Sequence, residues 1–361
     1  MRGVYLTGHG GPEKLEYRED IPMPEAGPFD VLVRVAAAGV NNTDINTRVG
    51  WYSKSDNSAD DASWAGSPLH FPLIQGIDVC GTIVAVGERV NHDRIGERVL
   101  VEPCIREADG KGLPQPWFLG SECNGGFAEY VAVPSKHAYC VESDYTDAEL
   151  ASFPCSYSTA ENLLTRSDVR QGERVLVTGA SGGVGSAAVQ LAKARGAYVI
   201  AVTSRSKQEA IQEIGADKVV LRESSLVETL GLDHVDVVVD LVGGEKWPEL
   251  LNILKPGGRY AVSGAIAGPM VQLDLRTLYL KDLSFFGCTS LEPEIFQNLV
   301  SHIQNKRIVP LVAKTFPLEE IRQAQAEFQE KKHIGKFVLT VNTQVRRTLQ
   351  RPDRCLLGRM A

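Results

Sequence analysis

A glycine-rich turn between a strand pattern and a helix pattern carries the clearest chemical signal in the chain. The apolar, β-branched segment 173–180 leads directly into a run of small residues. Ala180, Gly182 and Gly185 occupy the three small positions of the G-x-G-x-x-G pattern, which allow a tight turn and a close approach of backbone N–H groups to a pyrophosphate. The helix that follows adds partial positive charge at its N-terminus. The sequence therefore predicts a dinucleotide site formed by Ala180, Ser181, Gly182, Gly183, Val184 and Gly185.

The strand that follows this helix indicates which dinucleotide binds. An NAD site usually has Asp or Glu about 20 residues beyond the glycines, where the carboxylate bonds the ribose 2′-hydroxyl. Here the strand ends in Ser204, Arg205, Ser206 and Lys207, without an acidic residue. A hydroxyl and two cations suit a 2′-phosphate, with forked hydrogen bonds from Arg205 in particular. We therefore expect NADPH, contacted by Ser204, Arg205 and Lys207. In the alternative interpretation, both cations are solvated residues at the start of a helix.

Two kinds of pattern surround the turn. Before about residue 150, short β-branched runs at 31–40, 81–87, 97–103 and 125–134 end at turn residues and predict strands. After it, strands alternate with amphipathic helical segments, which is typical of βαβ units in a doubly wound parallel sheet. The predicted fold class is therefore α/β. A chain of 361 residues favours two domains, at roughly 150 residues per domain.

The composition restricts the partners and the compartment. The formal net charge is −7, which argues against a nucleic-acid or anionic-membrane surface. No run approaches the roughly 20 apolar residues of a membrane span, and the N-terminal segment has no apolar signal core. The seven cysteines are widely spaced, with no C-x-x-C pair, and so do not form a disulfide framework. We expect a cytoplasmic protein that binds a small molecule, with no nucleic-acid or membrane partner.

Two segments have the composition of long loops. Residues 53–72 are polar and acidic around Trp64, and residues 104–125 contain Gly, Pro and two cysteines. Loops of this length are often lids or binding surfaces. We expect the first loop to shape the mouth of a pocket, with the hypothesis that Trp51, Trp64 or Phe71 stacks on a substrate ring.

Several separated motifs, taken in chain order, make the sequence similar to a known family. They are AAGVNNTDINTRVGWY, PLIQGIDVCGTIVAVG, GGFAEYVAVP, FPCSYSTAENLL, the glycine turn, DLVGG, LKPGGRYAVSGA and HIGKFVLTV. Over about residues 1–342 the chain resembles the medium-chain dehydrogenase/reductase superfamily. Within it, the chain most resembles the zinc-independent quinone oxidoreductase branch.

This resemblance implies a domain arrangement and an assembly. It implies a GroES-like, β-rich catalytic domain over 1–135 and 291–345, a Rossmann dinucleotide-binding domain inserted at 136–290, and an active site in the cleft between them. Residues 346–361, rich in arginine, are expected to be a flexible basic tail. Members of the family often dimerise through the last strand of the cofactor sheet, so we expect a homodimer through the edge near Leu283 to Thr289.

The resemblance also bears on the metal. Zinc alcohol dehydrogenases of this superfamily hold a catalytic zinc with Cys, His and Cys. The matching positions here are Asn41, Ile77 and Cys155, and one thiolate cannot hold zinc, so we expect no catalytic metal. Cys155 is then a small buried residue in the cleft rather than a catalytic thiol. The relatives' structural zinc uses four closely spaced cysteines, whereas the matching loop has only Cys104 and Cys123.

Without a metal, a conjugated acceptor is the easier substrate, because hydride addition leaves a delocalised enolate or phenolate for the protein to stabilise. The expected catalytic candidates are Tyr52, Asn41 and Asp44. Tyr52 matches a tyrosine of the resembled branch and is either a protonated donor or a packing aromatic. Asn41 offers an amide donor at the lost ligand position, unless it is only a turn residue. Asp44 is expected to orient its neighbours.

Further residues match positions near the nicotinamide in the resembled family. They are Thr159, Val242, Gly243, Ser263, Gly264 and Ala265, with Phe286, Gly287 and Lys336 as weaker matches. For Lys336, a surface lysine on an edge strand is an equally good interpretation.

The sequence thus predicts an NADPH-dependent oxidoreductase that reduces a quinone or an enone without a metal. One alternative is a zinc-type alcohol dehydrogenase with rearranged ligands, drawing on Cys155, Asp78 and either Cys80 or His70. The other is a non-catalytic NADPH-binding protein that keeps the fold.

Overall fold

The computed structural model of the protein describes residues 1–54 and 61–341. The predicted tail at 346–361 lies outside the described residues, as does part of the loop at 53–72.

The N-terminal part of the chain is rich in strands. Its strands are β1 Gly3–Leu6, β2 Leu15–Arg18, β3 Asp30–Val40, β4 Leu73–Ile74, β5 Cys80–Val86, β6 Arg98–Val101, β7 Cys104–Ala108, β8 Lys111–Phe118, β9 Tyr130–Pro134 and β10 Ala138–Cys140. Its helices are α1 Asn42–Val49 and α2 Asp147–Leu150. The strands predicted over 31–40, 81–87 and 97–103 are confirmed as β3, β5 and β6.

The middle of the chain alternates strands with helices. Its helices are α3 Pro154–Arg166, α4 Gly183–Ala194, α5 Gln208–Glu213, α6 Leu226–Leu230, α7 Trp247–Ile253 and α8 Leu275–Leu280. Its strands are β11 Arg174–Val177, β12 Tyr198–Thr203, β13 Lys218–Leu221, β14 Val235–Asp240, β15 Leu254–Val262 and β16 Ser284–Gly287. All pairings are parallel, in the order β13-β12-β11-β14-β15-β16, which confirms the doubly wound sheet. The order reverses between β11 and β14, and ligands of such sheets bind at that point.

The last elements return the chain to the first sheet. They are α9 Pro293–Gln304, β17 Val312–Pro317, α10 Ile321–Gln329 and β18 Lys336–Thr340. β18 pairs with both β17 and β3, in a mixed sheet of order β10-β6-β5-β3-β18-β17, where β9 also pairs with β3. Because β18 has a neighbour on each side and Lys336 is only 3 % exposed, the interpretation of Lys336 as a surface residue on an edge strand is wrong.

The segment 104–125, expected to be a loop, contains a hairpin. β7 and β8 pair antiparallel, and the two residues between them, Asp109 and Gly110, have φ angles of 50° and 72°. Positive φ at both central residues matches a type I′ turn, which Asp-Gly favours because glycine has no Cβ and aspartate tolerates this region. The Asp-Gly pair was therefore a hairpin signal within an otherwise loop-like composition.

One apolar core joins the two sheets. Ala37, Leu100 and Val338 of the mixed sheet lie in the same buried cluster as Val175 and Val237 of the parallel sheet. This shared core fixes the carboxyl end of the parallel sheet against the mixed sheet. The six cysteines within the described ranges are free, and no helix in those ranges is long and apolar enough to cross a membrane.

Candidate active site

The glycine turn lies where β11 ends and α4 begins. Gly182 precedes the helix and has no side chain to cap its first amides, so these N–H groups are available to an anion. A Cβ added to Gly185 would lie 2.2 Å from the carbonyl oxygen of Gly179, whereas one added to Gly182 would come no closer than 3.5 Å to that oxygen. Gly185 is therefore required for packing, while Gly182 keeps the surface of the turn open, which fits a pyrophosphate.

Asp240, at the end of β14, organises the loop beside this turn. Its buried carboxylate accepts hydrogen bonds from Thr178 Oγ1 at 2.6 Å and from the Val242 N–H at 3.0 Å. The Gly243 N–H lies 3.3 Å from the same carboxylate. These bonds place Val242 and Gly243 at the switch point of the sheet. Sequence reasoning missed Asp240, although a carboxylate that ends an apolar strand was a usable signal.

The other predicted cofactor residues lie along the same edge. Ser263, Gly264 and Ala265 follow β15, and the Ser263 N–H bonds the Asp240 carbonyl at 3.3 Å. Phe286 and Gly287 end the outermost strand, where the Gly287 carbonyl accepts from Arg166 at 2.6 Å.

Thr159 lies apart from that strand edge, on α3, one helical turn after Cys155. It is half-buried, and its hydroxyl is a hydrogen-bond partner of the Cys155 thiol. Thr159 therefore belongs to the part of the site that α3 contributes.

The ribose end of the site contains more cations than the sequence indicated. Arg205 is exposed, and the Ser204 hydroxyl lies 3.2 Å from that of Ser206. Lys207 donates to the carbonyl oxygens of residues 331 and 333, at 2.8 and 2.7 Å. Arg222 follows β13, the neighbour of β12, and burial followed by the charge of Arg222 lowers the pKa of Lys207.

Two further basic residues, Lys331 and His333, lie next to Lys207. Burial and then repulsion from Lys207 lower the pKa of Lys331 to about 8. Burial and then three lysine charges lower the pKa of His333 to about 4, so this imidazole is neutral at pH 7. Mutual repulsion among these groups, in a chain of net charge −7, would be relieved by a bound anion. Neither residue was singled out from the sequence, because they are distant from the glycine turn along the chain.

A buried cluster around Lys336 lies beside the glycine turn. Lys336 Nζ is 2.7 Å from Asp78 Oδ2 and donates to Asn41 Oδ1. The other carboxylate oxygen of Asp78 accepts the Cys155 N–H at 2.5 Å. The Gly335 N–H bonds the Ser181 carbonyl at 3.3 Å, so the start of β18 touches the turn directly. The structure thus brings Lys336, predicted only weakly, next to Asn41 and the dinucleotide turn.

The Asn41 amide is engaged inside this cluster. Its Nδ2 donates to Asp78 Oδ2 at 2.8 Å and lies 3.4 Å from the Gly39 carbonyl, while its oxygen accepts from Lys336. Asn41 is therefore an internal bridge between a carboxylate and an ammonium. A direct role of this amide toward a substrate stays a prediction.

Asp44 is a second buried carboxyl in the same place. Its Oδ2 accepts the Asn41 N–H at 2.8 Å, which closes the first turn of α1. Burial, with repulsion from Asp78, raises the pKa of Asp44 to about 7 against the attraction of Lys336 and the Asn41 hydrogen bond. Asp44 therefore holds a proton below neutral pH.

Tyr52 lies near this cluster with its hydroxyl directed inward. The hydroxyl donates to Thr43 Oγ1 at 3.1 Å, and burial raises the pKa of Tyr52, so the phenol keeps its proton at neutral pH. The Tyr52 ring faces Trp64, with ring centroids 6.0 Å apart. Of the three residues proposed to stack on a substrate, Trp64 lies next to Tyr52, Trp51 contacts Tyr52 edge-on, and Phe71 contacts His9.

The positions that match zinc ligands do not fit a metal. Ile77 is a buried hydrocarbon, and Asn41 is bonded to Asp78 and Lys336. Burial, with repulsion from Asp78, raises the pKa of Cys155 and disfavours the thiolate that zinc requires. Within residues 1–54 and 61–341 no group of three or more His, Cys, Asp or Glu side chains is arranged to hold a metal ion.

Two of the rearranged ligands of the zinc alternative, Asp78 and Cys80, are also engaged elsewhere. Asp78 pairs with Lys336, and the Cys80 thiol lies 3.7 Å from an Asp147 carboxylate oxygen, as its hydrogen-bond donor. Burial raises the pKa of Cys80 as well.

Comparison with known proteins matches the chain to dehydrogenase families and to several dehydrogenases and reductases. Residues 27–143 match the alcohol dehydrogenase GroES-like domain, and residues 183–305 match the zinc-binding dehydrogenase family. The chain is 30 % identical over 353 residues to a quinone oxidoreductase of Lama guanicoe, covering 94 % of this chain and 97 % of that protein. It is 30 % identical over 350 residues to an acryloyl-coenzyme A reductase of Metallosphaera sedula, covering 94 % and 100 %. A solved structure of a candidate alcohol dehydrogenase from Sinorhizobium meliloti 1021 is 47 % identical, covers 94 % and 96 %, and superposes with a TM-score of 0.87.

The glycine turn allows packing and binding to be separated by two matched substitutions. Gly185→Ala places a methyl group against the Gly179 carbonyl and is expected to lower the melting temperature by several degrees, since overpacking costs about 1–3 kcal/mol. Gly182→Ala meets no such contact, so the melting temperature should stay unchanged while the affinity for a nicotinamide dinucleotide falls. Thermal unfolding and cofactor titration measure the two effects. Equal melting temperatures for both variants would contradict this assignment.

The buried Asp44 predicts a pH dependence of stability. Its folded pKa of about 7 lies above the ordinary value of 3.8, so between these values the folded state holds a proton that the unfolded state has lost. The free energy of unfolding should therefore fall as pH rises from 4 to 7, by up to about 4 kcal/mol. Asp44→Asn keeps an acceptor for the Asn41 N–H and should flatten the curve. Urea unfolding at several pH values measures it, with the exposed Asp168→Asn as the control. A curve of Asp44→Asn as steep as that of the wild type would refute the raised pKa.

Proposed function

Because the chain belongs to the medium-chain dehydrogenase/reductase superfamily and is quinone-oxidoreductase-like, we propose that this oxidoreductase uses NADPH to reduce a quinone or an α,β-unsaturated carbonyl compound without a catalytic metal. The observation that carries the proposal is the buried cluster of Lys336, Asp78 and Asn41. Asn41 matches a zinc-ligand position of the resembled dehydrogenases, and here it is bonded to an ammonium and a carboxylate instead.

A conjugated acceptor suits such a site. NADPH, when bound, supplies the hydride. The acceptor oxygen then gains negative charge spread over a conjugated system, which fixed donors stabilise without a Lewis acid. Tyr52 holds a proton at neutral pH, and Asp44 holds one below about pH 7, so both are candidates to neutralise that charge. A simple ketone or aldehyde would leave a localised alkoxide, which a bound metal ion would stabilise. The positions that match zinc ligands, Asn41, Ile77 and Cys155, are not suited to hold that metal.

The similarity to relatives supports the same class of acceptor. One relative is a quinone oxidoreductase and another an acryloyl-coenzyme A reductase, and both of these names refer to conjugated acceptors. The candidate alcohol dehydrogenase from Sinorhizobium meliloti is also similar to this chain. The experiment must therefore distinguish the proposed reaction from that of a zinc-type alcohol dehydrogenase.

The preference for NADPH rests on the cations at the ribose end. Arg205 and Arg222 follow neighbouring parallel strands, β12 and β13, so their backbones lie at the same edge of the sheet. Both are exposed, and the nearby Lys207 and Lys331 have lowered pKa values. A 2′-phosphate at this edge would meet forked guanidinium donors, whereas a bare ribose hydroxyl would find no carboxylate at the end of β12.

The test follows NADPH and NADH oxidation by chelator-treated protein with quinones, enones and simple aldehydes. Quinones or enones should be reduced at the untreated rate, with NADPH preferred. Arg205→Ala and Arg222→Ala should each raise the KM for NADPH by about 10- to 100-fold, because each loses hydrogen bonds to a charged group. The KM for NADH should stay within about twofold, since NADH has no 2′-phosphate.

Arg170→Ala is the matched control, because Arg170 pairs with Asp168 in the turn that precedes β11, at the opposite edge of the sheet. It should change neither KM. Activity confined to aldehydes or alcohols and lost with the chelator would establish the zinc rival. NADPH binding without turnover of any acceptor would favour the non-catalytic rival.

We also propose that two copies pair through β16. This strand has β15 on one side only, so its other edge is free to extend the sheet antiparallel across a two-fold axis. Large apolar side chains are exposed on and beside it, namely Ile266, Met270, Leu275, Tyr279, Leu280 and Phe285. A second copy of the same edge would cover them.

Substitution at this edge should weaken the dimer. Leu280→Glu is expected to shift the chain toward the monomer by at least about tenfold in dissociation constant, because a carboxylate would be buried without a partner. Sedimentation velocity measures the shift. Leu232→Glu changes another exposed leucine, in the loop between α6 and β14, and should leave the dimer intact. A wild-type chain that is monomeric at micromolar concentration would refute the pairing.

A further inference from the structure

The loop that carries Trp64 is fixed to the β7–β8 hairpin by one carboxylate. Glu122 Oε1 accepts the Ala65 N–H at 2.7 Å, and Glu122 Oε2 accepts the Phe118 N–H at 2.7 Å. The Trp64 N–H bonds Ser121 Oγ at 3.1 Å. The backbone N–H groups of two consecutive loop residues thus donate to side chains of the segment that follows the hairpin. These bonds give the Trp64 backbone a defined position.

Trp64 is the middle member of an aromatic column. Its ring is stacked on Phe118 with centroids 4.4 Å apart and planes inclined by 11°. On its other side is Tyr52, with centroids 6.0 Å apart and planes inclined by 18°. Phe118 is buried and packs with Leu291 and Ile295, so the column has a rigid base in the segment that leads into α9. Trp64 itself is only half-buried.

The two faces of Trp64 are covered to different extents by their neighbouring rings. Phe118 covers one face of the indole at full contact distance, whereas near-parallel rings at 6.0 Å are offset and cover each other only in part. Tyr52 therefore covers only part of the second face of Trp64, and the indole as a whole stays half-buried. This second face lies beside the Tyr52 phenol, which holds a proton and donates to Thr43 on α1.

We propose that Trp64 determines which acceptors the site prefers, by offering an apolar aromatic face to a flat conjugated ring. This inference rests on the proposed reductase function and names the acceptor class within it. A quinone ring extends the column by stacking next to Tyr52. A short aliphatic enone has no ring to stack on this face, so it reaches the same proton donors, Tyr52 and Asp44, without contacting Trp64. Trp64 is accordingly a specificity and positioning residue rather than a catalytic residue.

The test compares 1,4-naphthoquinone with 3-buten-2-one as acceptors, with NADPH as reductant. Trp64→Leu should raise the KM for the naphthoquinone by about tenfold, because one aromatic contact is lost. The KM for 3-buten-2-one and the KM for NADPH should change by less than about twofold. Trp64→Phe keeps a flat ring and should retain most of the preference. Trp117→Leu, an exposed tryptophan on the same hairpin, is the control and should change neither acceptor.

A binding measurement separates this inference from the proposed reaction. In protein saturated with NADP⁺, which cannot transfer a hydride, tryptophan fluorescence gives the naphthoquinone affinity directly. Trp64→Leu should weaken that affinity about tenfold even if neither acceptor is reduced. Equal losses for both acceptors, a Trp64→Phe variant that behaves like Trp64→Leu, or an unchanged affinity would overturn the role of Trp64. Absence of turnover with normal naphthoquinone binding would instead count against the reductase function alone.

Discussion

A buried ammonium group connects the elements on which the candidate site depends. Lys336, at the start of β18, pairs with Asp78 before β5 and bonds Asn41 at the start of α1. Asp78 in turn holds the first turn of α3 through the Cys155 N–H. A buried charge that loses its partner costs about 3–5 kcal/mol, so these segments are constrained to stay together. The same lysine lies beside the glycine turn, which links the mixed sheet to the parallel sheet at the point where a dinucleotide would lie.

The distribution of charge around this lysine divides the site into two regions. At the inner region, the ammonium of Lys336 pairs with Asp78, and burial raises the pKa of the neighbouring Asp44 to about 7, so that Asp44 holds a proton below neutral pH. At the outer region, cations are in excess, and burial, followed by repulsion from Arg222 and Lys207 respectively, lowers the pKa values of Lys207 and Lys331. The inner region therefore suits the transfer of a hydride and a proton, and the outer region suits a phosphate. Among the described residues, Asn41 and Asp78 are already paired, Ile77 is a hydrocarbon and burial disfavours the Cys155 thiolate, and these observations support the proposal of a reaction without a metal.

The local patterns of the sequence were sufficient to predict the parallel sheet. They were insufficient to predict which distant residues contact the site residues. Alternating periodicity and the turn residues around Gly182 predicted the parallel sheet and the dinucleotide turn, because both depend on residues close together in the chain. The pairing of Asn41 with Lys336 joins residues 295 positions apart, and no local pattern encodes it. The hairpin at Asp109 was missed although its turn signal was present. The domain boundaries and the roles of individual site residues stay predictions.

We propose that the reaction depends on a buried ion pair and proton donors rather than on a bound metal. The most direct measurement determines the zinc content per chain and the rate of quinone-dependent NADPH oxidation on the same preparation, while zinc is removed and then added back stepwise. The account predicts a rate that does not change with zinc content, down to a preparation essentially free of zinc. A rate that rises in proportion to the zinc bound would contradict it.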